Sequence, residues 1–145
     1  MVSTFTAMNI CKFGTREQQE RFLPAFMEGG VRFSISISEP SAGSDAANTR
    51  TRSEETPEGW KITGQKLWCS GAAARNTVIA MLTRSDKAAA KHKGLTVLLV
   101  PNDTPGVDIR RLPTMARRAT GTTEIFADGA VVPAANVLGQ PGDGW

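Results

Sequence analysis

The sequence predicts a mainly β fold, an antiparallel barrel or sandwich preceded by two short α-helices. Three observations carry the prediction. Hydrophobic spacing is helical through the first 28 residues and turns to a period of two after Gly29-Gly30. About seven short strand-like runs then follow at roughly even intervals, divided by turn-forming residues. The long alternating helices of a doubly wound nucleotide fold are missing.

Phe5, Met8 and Ile10 give the first helix an amphipathic run, which Gly14 is placed to end as a left-handed cap. Thr15 opens the second helix with Gln18 three residues on, a capping-box pattern. Phe22, Leu23 and Phe26 form its apolar face, and Pro24 marks a kink or its last turns. Val31, Phe33, Ile35 and Ile37 then alternate with Arg32, Ser34, Ser36 and Ser38, which predicts a strand burying its apolar face. Glu39 to Asp45 reads as a loop. Thr49 to Arg52 follows, and Trp60–Thr63 and Lys66–Trp68 flank Gly64-Gln65 as a tight hairpin. Thr77–Leu82 and Leu95–Val100 are apolar enough for central strands, with an exposed loop or short helix over 84–93 between them. A turn at Asp103–Gly106 and runs at Val107–Leu112, Thr122–Phe126 and Gly129–Val132 complete the set. Trp145 ends a flexible glycine segment, and both ends of the sequence read as edges of a larger body.

The 145 residues are 40% hydrophobic and 21% charged, which suits a globular chain. The net charge is +3, and the cations are scattered. An anionic ligand is tolerated, but nothing points to nucleic acid. No apolar run is long enough for a membrane helix, and no secretory signal opens the sequence. Cys11, Cys69 and the lone His92 do not make a structural metal site.

Two constellations are suited to chemistry. In the first, a strand end runs into Ser38-Glu39-Pro40-Ser41-Ala42-Gly43-Ser44-Asp45. Ser38 and Ser44 can donate to carbonyl or phosphate oxygens there; an ordinary solvated turn is the competing reading. Glu39 and Asp45 are read as acceptors of backbone N–H groups that hold the loop, rather than as bases. The second is Trp68-Cys69-Ser70-Gly71. The indole offers a flat stacking face, and Ser70, two residues on, shares its side of the strand; burial of Trp68 in the core is the alternative. Cys69 points the other way, as an inert buried thiol. The expectation is that the two strand ends lie side by side as a rack for one planar ligand.

Five motifs stand in order: Gly14-Thr15 through Arg21-Phe22-Leu23-Pro24; Ser38-Glu39-Pro40 with Ala42-Gly43-Ser44-Asp45; Gly64-Gln65-Lys66-Leu67-Trp68; Pro105-Gly106-Val107; and Val132-Pro133 with Asn136-Val137-Leu138-Gly139. Together they resemble the acyl-CoA dehydrogenase family across essentially the whole chain. Arg118-Ala119-Thr120 matches an arginine-containing turn of that family more loosely. The resemblance implies the end of an N-terminal helical domain over 1–30, the middle β-domain over 31–138 and the start of a linker over 139–145. It implies FAD, with Ile35, Ser36, Ile37, Ser38, Gly43 and Ser44 in one contacting segment and Trp68, Cys69 and Ser70 in the other. Ser38 would meet the pyrimidine side of the flavin, and Ser70 its N5. Ser44 would sit where cofactor phosphates and the CoA ester approach, with His92 in a basic loop near the CoA portion. The usual threonines of the family at 38 and 70 are serine here, so the hydroxyl stays and the stiffening methyl is lost.

The implied reaction is α,β-dehydrogenation of an acyl-CoA, with a carboxylate removing the α-proton and hydride passing to flavin N5. No Glu or Asp in this sequence matches that carboxylate, which the family carries in a C-terminal helical domain. A catalytic residue is therefore not expected here, nor a metal, and the chain alone is expected to be inactive. The implied partners are an electron-transfer flavoprotein or similar acceptor and further copies in a homodimer or homotetramer. The implied compartment is the bacterial cytoplasm or the mitochondrial matrix. A flavin monooxygenase, an acyl-CoA oxidase and a non-catalytic truncated domain are the other readings.

Overall fold

Thr15 closes the expected capping box in the computed structural model, which describes residues 2–145. Its hydroxyl accepts the Gln18 N–H at 3.2 Å, and its own N–H donates to the Gln18 side-chain oxygen at 3.2 Å. Helix α1 spans Val2–Phe13 and α2 spans Arg16–Met27, with Pro24 in the last turn of α2. The buried side of α1 is Thr6, Ala7 and Ile10, while Phe5 and Met8 face outward. Gly14 ends α1 by a different device from the one expected. It is not left-handed; its N–H donates to the Ile10 carbonyl at 2.9 Å. A Cβ there would sit 2.5 Å from that carbonyl oxygen, so the turn needs the space of glycine.

Eight strands follow: β1 Arg32–Ser36, β2 Arg52–Thr56, β3 Gly59–Ser70, β4 Thr77–Arg84, β5 Leu95–Pro101, β6 Val107–Arg111, β7 Thr122–Val132 and β8 Val137–Leu138. They form one sheet in the order β6-β7-β3-β2-β4-β5-β8, with β1 also on β4. The mainly β class with two leading helices holds, but the sheet is mixed. β1 and the start of β2, at Arg52, run parallel to β4, and the remaining pairs are antiparallel.

Three strand expectations change. Gly64-Gln65 is not a hairpin; β3 runs straight through it, and the tight turn lies at Pro57-Glu58 between β2 and β3. Gly64 is there for close approach, since a Cβ would lie 2.6 Å from the Thr51 Cα. The two runs at 122–126 and 129–132 are one strand, with an extra residue near Gly129 marking a register shift against β3. β1 does not bury only its apolar face. Ser34 and Ser36 are fully enclosed, whereas Ile37 is 40% exposed.

Two cores explain this. Ile62, Ile79, Met81, Leu98, Val100 and Ile125 pack inside the sheet. Ile10, Phe22, Phe33, Val78, Ala80 and Leu99 pack between the sheet and the helices. β4 alternates between the two, so both its faces are covered. On β1 the helices cover Phe33, and the outer side beyond it, toward Ile37, lies open. The chain end is tied rather than loose. Gly94 donates to Gly142 at 2.8 Å, Gly144 donates to Leu95 at 2.7 Å, and Trp145 rests on His92 with ring centres 4.9 Å apart.

Candidate functional site

The ends of β1 and β3 lie side by side. The Leu67 N–H donates to the Ser38 carbonyl at 2.9 Å, Ser36 Oγ is 3.1 Å from Cys69 Sγ, and the Ser34 hydroxyl donates to the Ser70 carbonyl at 2.9 Å. The two segments therefore run in opposite directions. Ser38 stands at one end, beside Leu67, and Ser70 at the other, beside Ser34.

Trp68 does not fill the core; it is 59% exposed. A bulge is the reason. Between Lys66 and Cys69 the pairing with β7 slips, with Lys66 opposite Ile125 and Cys69 opposite Thr123. The extra residue lets Lys66 and Cys69, three apart, both turn inward. Trp68 absorbs the change at φ +63, a left-handed conformation costing about 1–2 kcal/mol for a residue with a Cβ. Simple alternation would have put Lys66 on the side of Trp68.

The inward pair is the feature that sequence reasoning missed. Lys66 is 1% exposed and Glu39 is 6% exposed. The Lys66 ammonium donates to Glu39 Oε1 at 2.8 Å, to Thr49 Oγ1 at 2.7 Å and to the Ile37 carbonyl at 3.0 Å. All its three donors are used. Glu39 also accepts the Thr49 hydroxyl, the Arg50 N–H at 2.8 Å and the Thr51 N–H at 2.9 Å. Burial pushes the Glu39 carboxyl up, but the Lys66 ammonium and these donors outweigh it and bring the pKa to about 2. Burial pulls Lys66 below its usual value, with Glu39 opposing. Burial likewise pushes the Cys69 thiol up. The available signal was the spacing Ile62, Gly64, Lys66, which puts a lysine on the inward face of β3.

The loop after Ser38 turns tightly, with Glu39 and Ala42 exchanging backbone hydrogen bonds at 2.8 and 3.2 Å. Glu39 holds the loop through backbone N–H groups, as expected. Asp45 instead meets Lys91 at 2.7 Å, which ties this loop to the basic 84–93 segment. That segment forms no helix. Ser44 is exposed beside Asp45, and His92 is exposed beside Lys91. Arg50, Arg84, Lys87 and Lys91 line a cleft with Asp45. Gly43 is open, with nothing within 4 Å of a Cβ built there.

The predicted residues therefore separate into two groups. Ile37, Gly43, Ser44 and Trp68 are open, and Ile35, Ser38 and Ser70 are half-buried. Ser36 and Cys69 are at 0% exposure and bonded to each other, so they present nothing to a surface ligand. Among the described residues the hydroxyls of Ser38, Ser44 and Ser70 make no protein hydrogen bond, and no cluster of metal-ligating side chains occurs. Open apolar surface at Ile37 and Trp68, flanked by free hydroxyls, fits a planar ring bearing heteroatoms. Glu39 is a poor proton acceptor, because its oxygens are engaged and its pKa is near 2.

A model of the acyl-CoA dehydrogenase middle domain matches residues 34–130. Acyl-CoA dehydrogenase FadE34 of Mycobacterium tuberculosis is 42% identical over 100% of this chain, which spans 20% of that protein. Acyl-CoA dehydrogenase IpdE1 of the same organism is 43% identical over 92% of the chain, here 34% of the relative. Among solved structures, a glutaryl-coenzyme A dehydrogenase in complex with glutaryl-CoA superposes with a TM-score of 0.88 at 31% identity. It covers 95% of this chain and 35% of its own. The chain thus spans about a fifth to a third of the length of these relatives.

Proposed function

The chain belongs to the acyl-CoA dehydrogenase family, and from that premise we propose that it forms the flavin-facing β-domain of an FAD-dependent enzyme that desaturates acyl-CoA thioesters. The observation that carries this is the paired end of β1 and β3, with Ile37 and Trp68 open and the Ser38 and Ser70 hydroxyls free at its two ends. Bound FAD would supply the hydride acceptor. Ser38 would hold the pyrimidine side of the ring, and Ser70 would donate toward its N5. Trp68, turned out by the bulge, would cover the ring and keep water from it. Ser36 and Cys69 act from beneath by holding the two segments together.

Ser44 and the basic segment carrying His92 would face the phosphates of the cofactor and of CoA, the two loops being joined by Asp45 and Lys91. The proton-abstracting carboxylate would come from outside these residues, since Glu39 is saturated. Residues 1–30 would close a helical domain, 31–138 form the β-domain and 139–145 lead onward. An electron-transfer flavoprotein, or an acceptor like it, would take the electrons. A homodimer or homotetramer in the bacterial cytoplasm or the mitochondrial matrix would be the working form; no helix among the described residues is long and apolar enough to cross a membrane.

The test is spectroscopic. Protein carrying the chain is purified and examined for a yellow cofactor, which acyl-CoA should bleach in the longer enzyme. The isolated chain should bind FAD weakly and turn nothing over. Robust turnover by the 145 residues alone would overturn the division of labour proposed here.

A further inference from the structure

Lys66 and Glu39 sit where the end of β1, the bulged stretch of β3 and the loop from 39 to 49 meet. The Lys66 ammonium, rooted in β3 two residues before Trp68, holds the Ile37 carbonyl on the end of β1. It also holds Glu39, where the polar loop starts, and Thr49, where that loop ends. Glu39 in turn takes the N–H groups of Arg50 and Thr51, closing the loop from the other side. The loop between residues 39 and 49 is therefore fastened at both ends to a single buried charge pair. That same pair sets the height of β1 against the bulged end of β3. A hydrophobic pair in this place would fill the space without fixing the Ile37 carbonyl, the Thr49 hydroxyl and the N–H groups of Arg50 and Thr51.

We propose that Lys66 and Glu39 are positioning residues for the ring site: their buried ion pair keeps Ser38, Trp68 and the 40–48 loop in one arrangement before any ligand arrives. Neither side chain reaches the surface, so neither is a ligand contact. Their effect passes through Ile37, Thr49 and the loop backbone. The inference rests on the flavin reading given above and adds to it where its preorganisation comes from.

The experiment compares apo-protein of the full chain with two variants. Lys66→Met/Glu39→Gln removes both charges together; the single amide oxygen can still accept from the Thr51 N–H, while the bond from the Arg50 N–H is lost. Thr49→Val is milder; it deletes one acceptor of Lys66 and leaves both charges in place. Each protein is titrated with FAD well below its Tm, and the fine structure of the bound flavin absorption band is recorded. The double variant should fold and bind FAD about tenfold more weakly or worse, with the fine structure blurred as in water. Thr49→Val should weaken binding by roughly threefold and serves as the readout should the double variant fail to fold. A purely structural role predicts lower Tm values with unchanged affinity and an unchanged band, and that result overturns the inference alone. Wild-type protein that binds no FAD overturns the flavin reading and this inference with it.

Discussion

The β4–β5 hairpin and the paired ends of β1 and β3 lie in the same sheet and solve opposite problems. β4 and β5 pair residue for residue from Val78–Pro101 to Arg84–Leu95 with no slip, and their apolar side chains alternate between two cores. The β1–β3 region has a bulge, a left-handed tryptophan, a buried charge pair and open apolar surface. Regular pairing with matched apolar faces yields stability from any sequence of the right pattern. Holding an indole and two hydroxyls at the surface needs exceptions to the pattern, and each exception is supported from below. The buried lysine sits under the exposed tryptophan because the same bulge creates both positions.

The contrast can be broken most forcefully at Lys66. Lys66→Met alone leaves Glu39 ionised and enclosed without its partner, so stability in urea should fall by about 3–5 kcal/mol, despite the methionine being more apolar. Met81→Ala in β4 should cost about 3 kcal/mol through the cavity it leaves, with ring-site properties unchanged once the protein is folded. Acid should separate the regions as well. Glu39 has a usual value of 4.5 and sits at about 2 when folded, so its contribution is complete above pH 4.5. It is lost as pH falls toward 2, a change on the order of 3 kcal/mol. Urea midpoints measured across that window should drop in the native protein. In Lys66→Met/Glu39→Gln the drop should be smaller. The smallest effect sharpens the comparison best. Trp68→Gly should gain about 1 kcal/mol in stability by relieving the left-handed backbone while weakening binding of a planar ligand, which calorimetry of both properties would reveal.

The legible parts of the molecule were those whose cause is local. The Thr15–Gln18 capping box, the change of period after Gly30 and the strands β4 and β5 follow from spacing within a dozen residues. The illegible parts have causes far away in the chain. Gly64 looks like a turn, yet it is glycine because Thr51 passes against it. Ser34 and Ser36 look like a solvent face, yet their hydroxyls are satisfied by Ser70 and Cys69 inside the sheet. Of the candidate site, the half-buried Ser38 and the open Ser44 and Trp68 were visible as motif members. The buried support was not, because a lysine in a strand reads as surface until its partner 27 positions away is known to be enclosed beside it.

The parallel pairing of β1 with β4 also has a consequence in time. Arg32 pairs with Thr77 and Ser36 with Met81, so the parallel partner of β1 is made only after the middle of the sequence has been passed. Closing so long a stretch is entropically slow compared with zipping β4 to β5 through their neighbouring loop. On that ground β1 is expected to dock after the hairpin, so the paired ends of β1 and β3 are expected among the last parts to take shape.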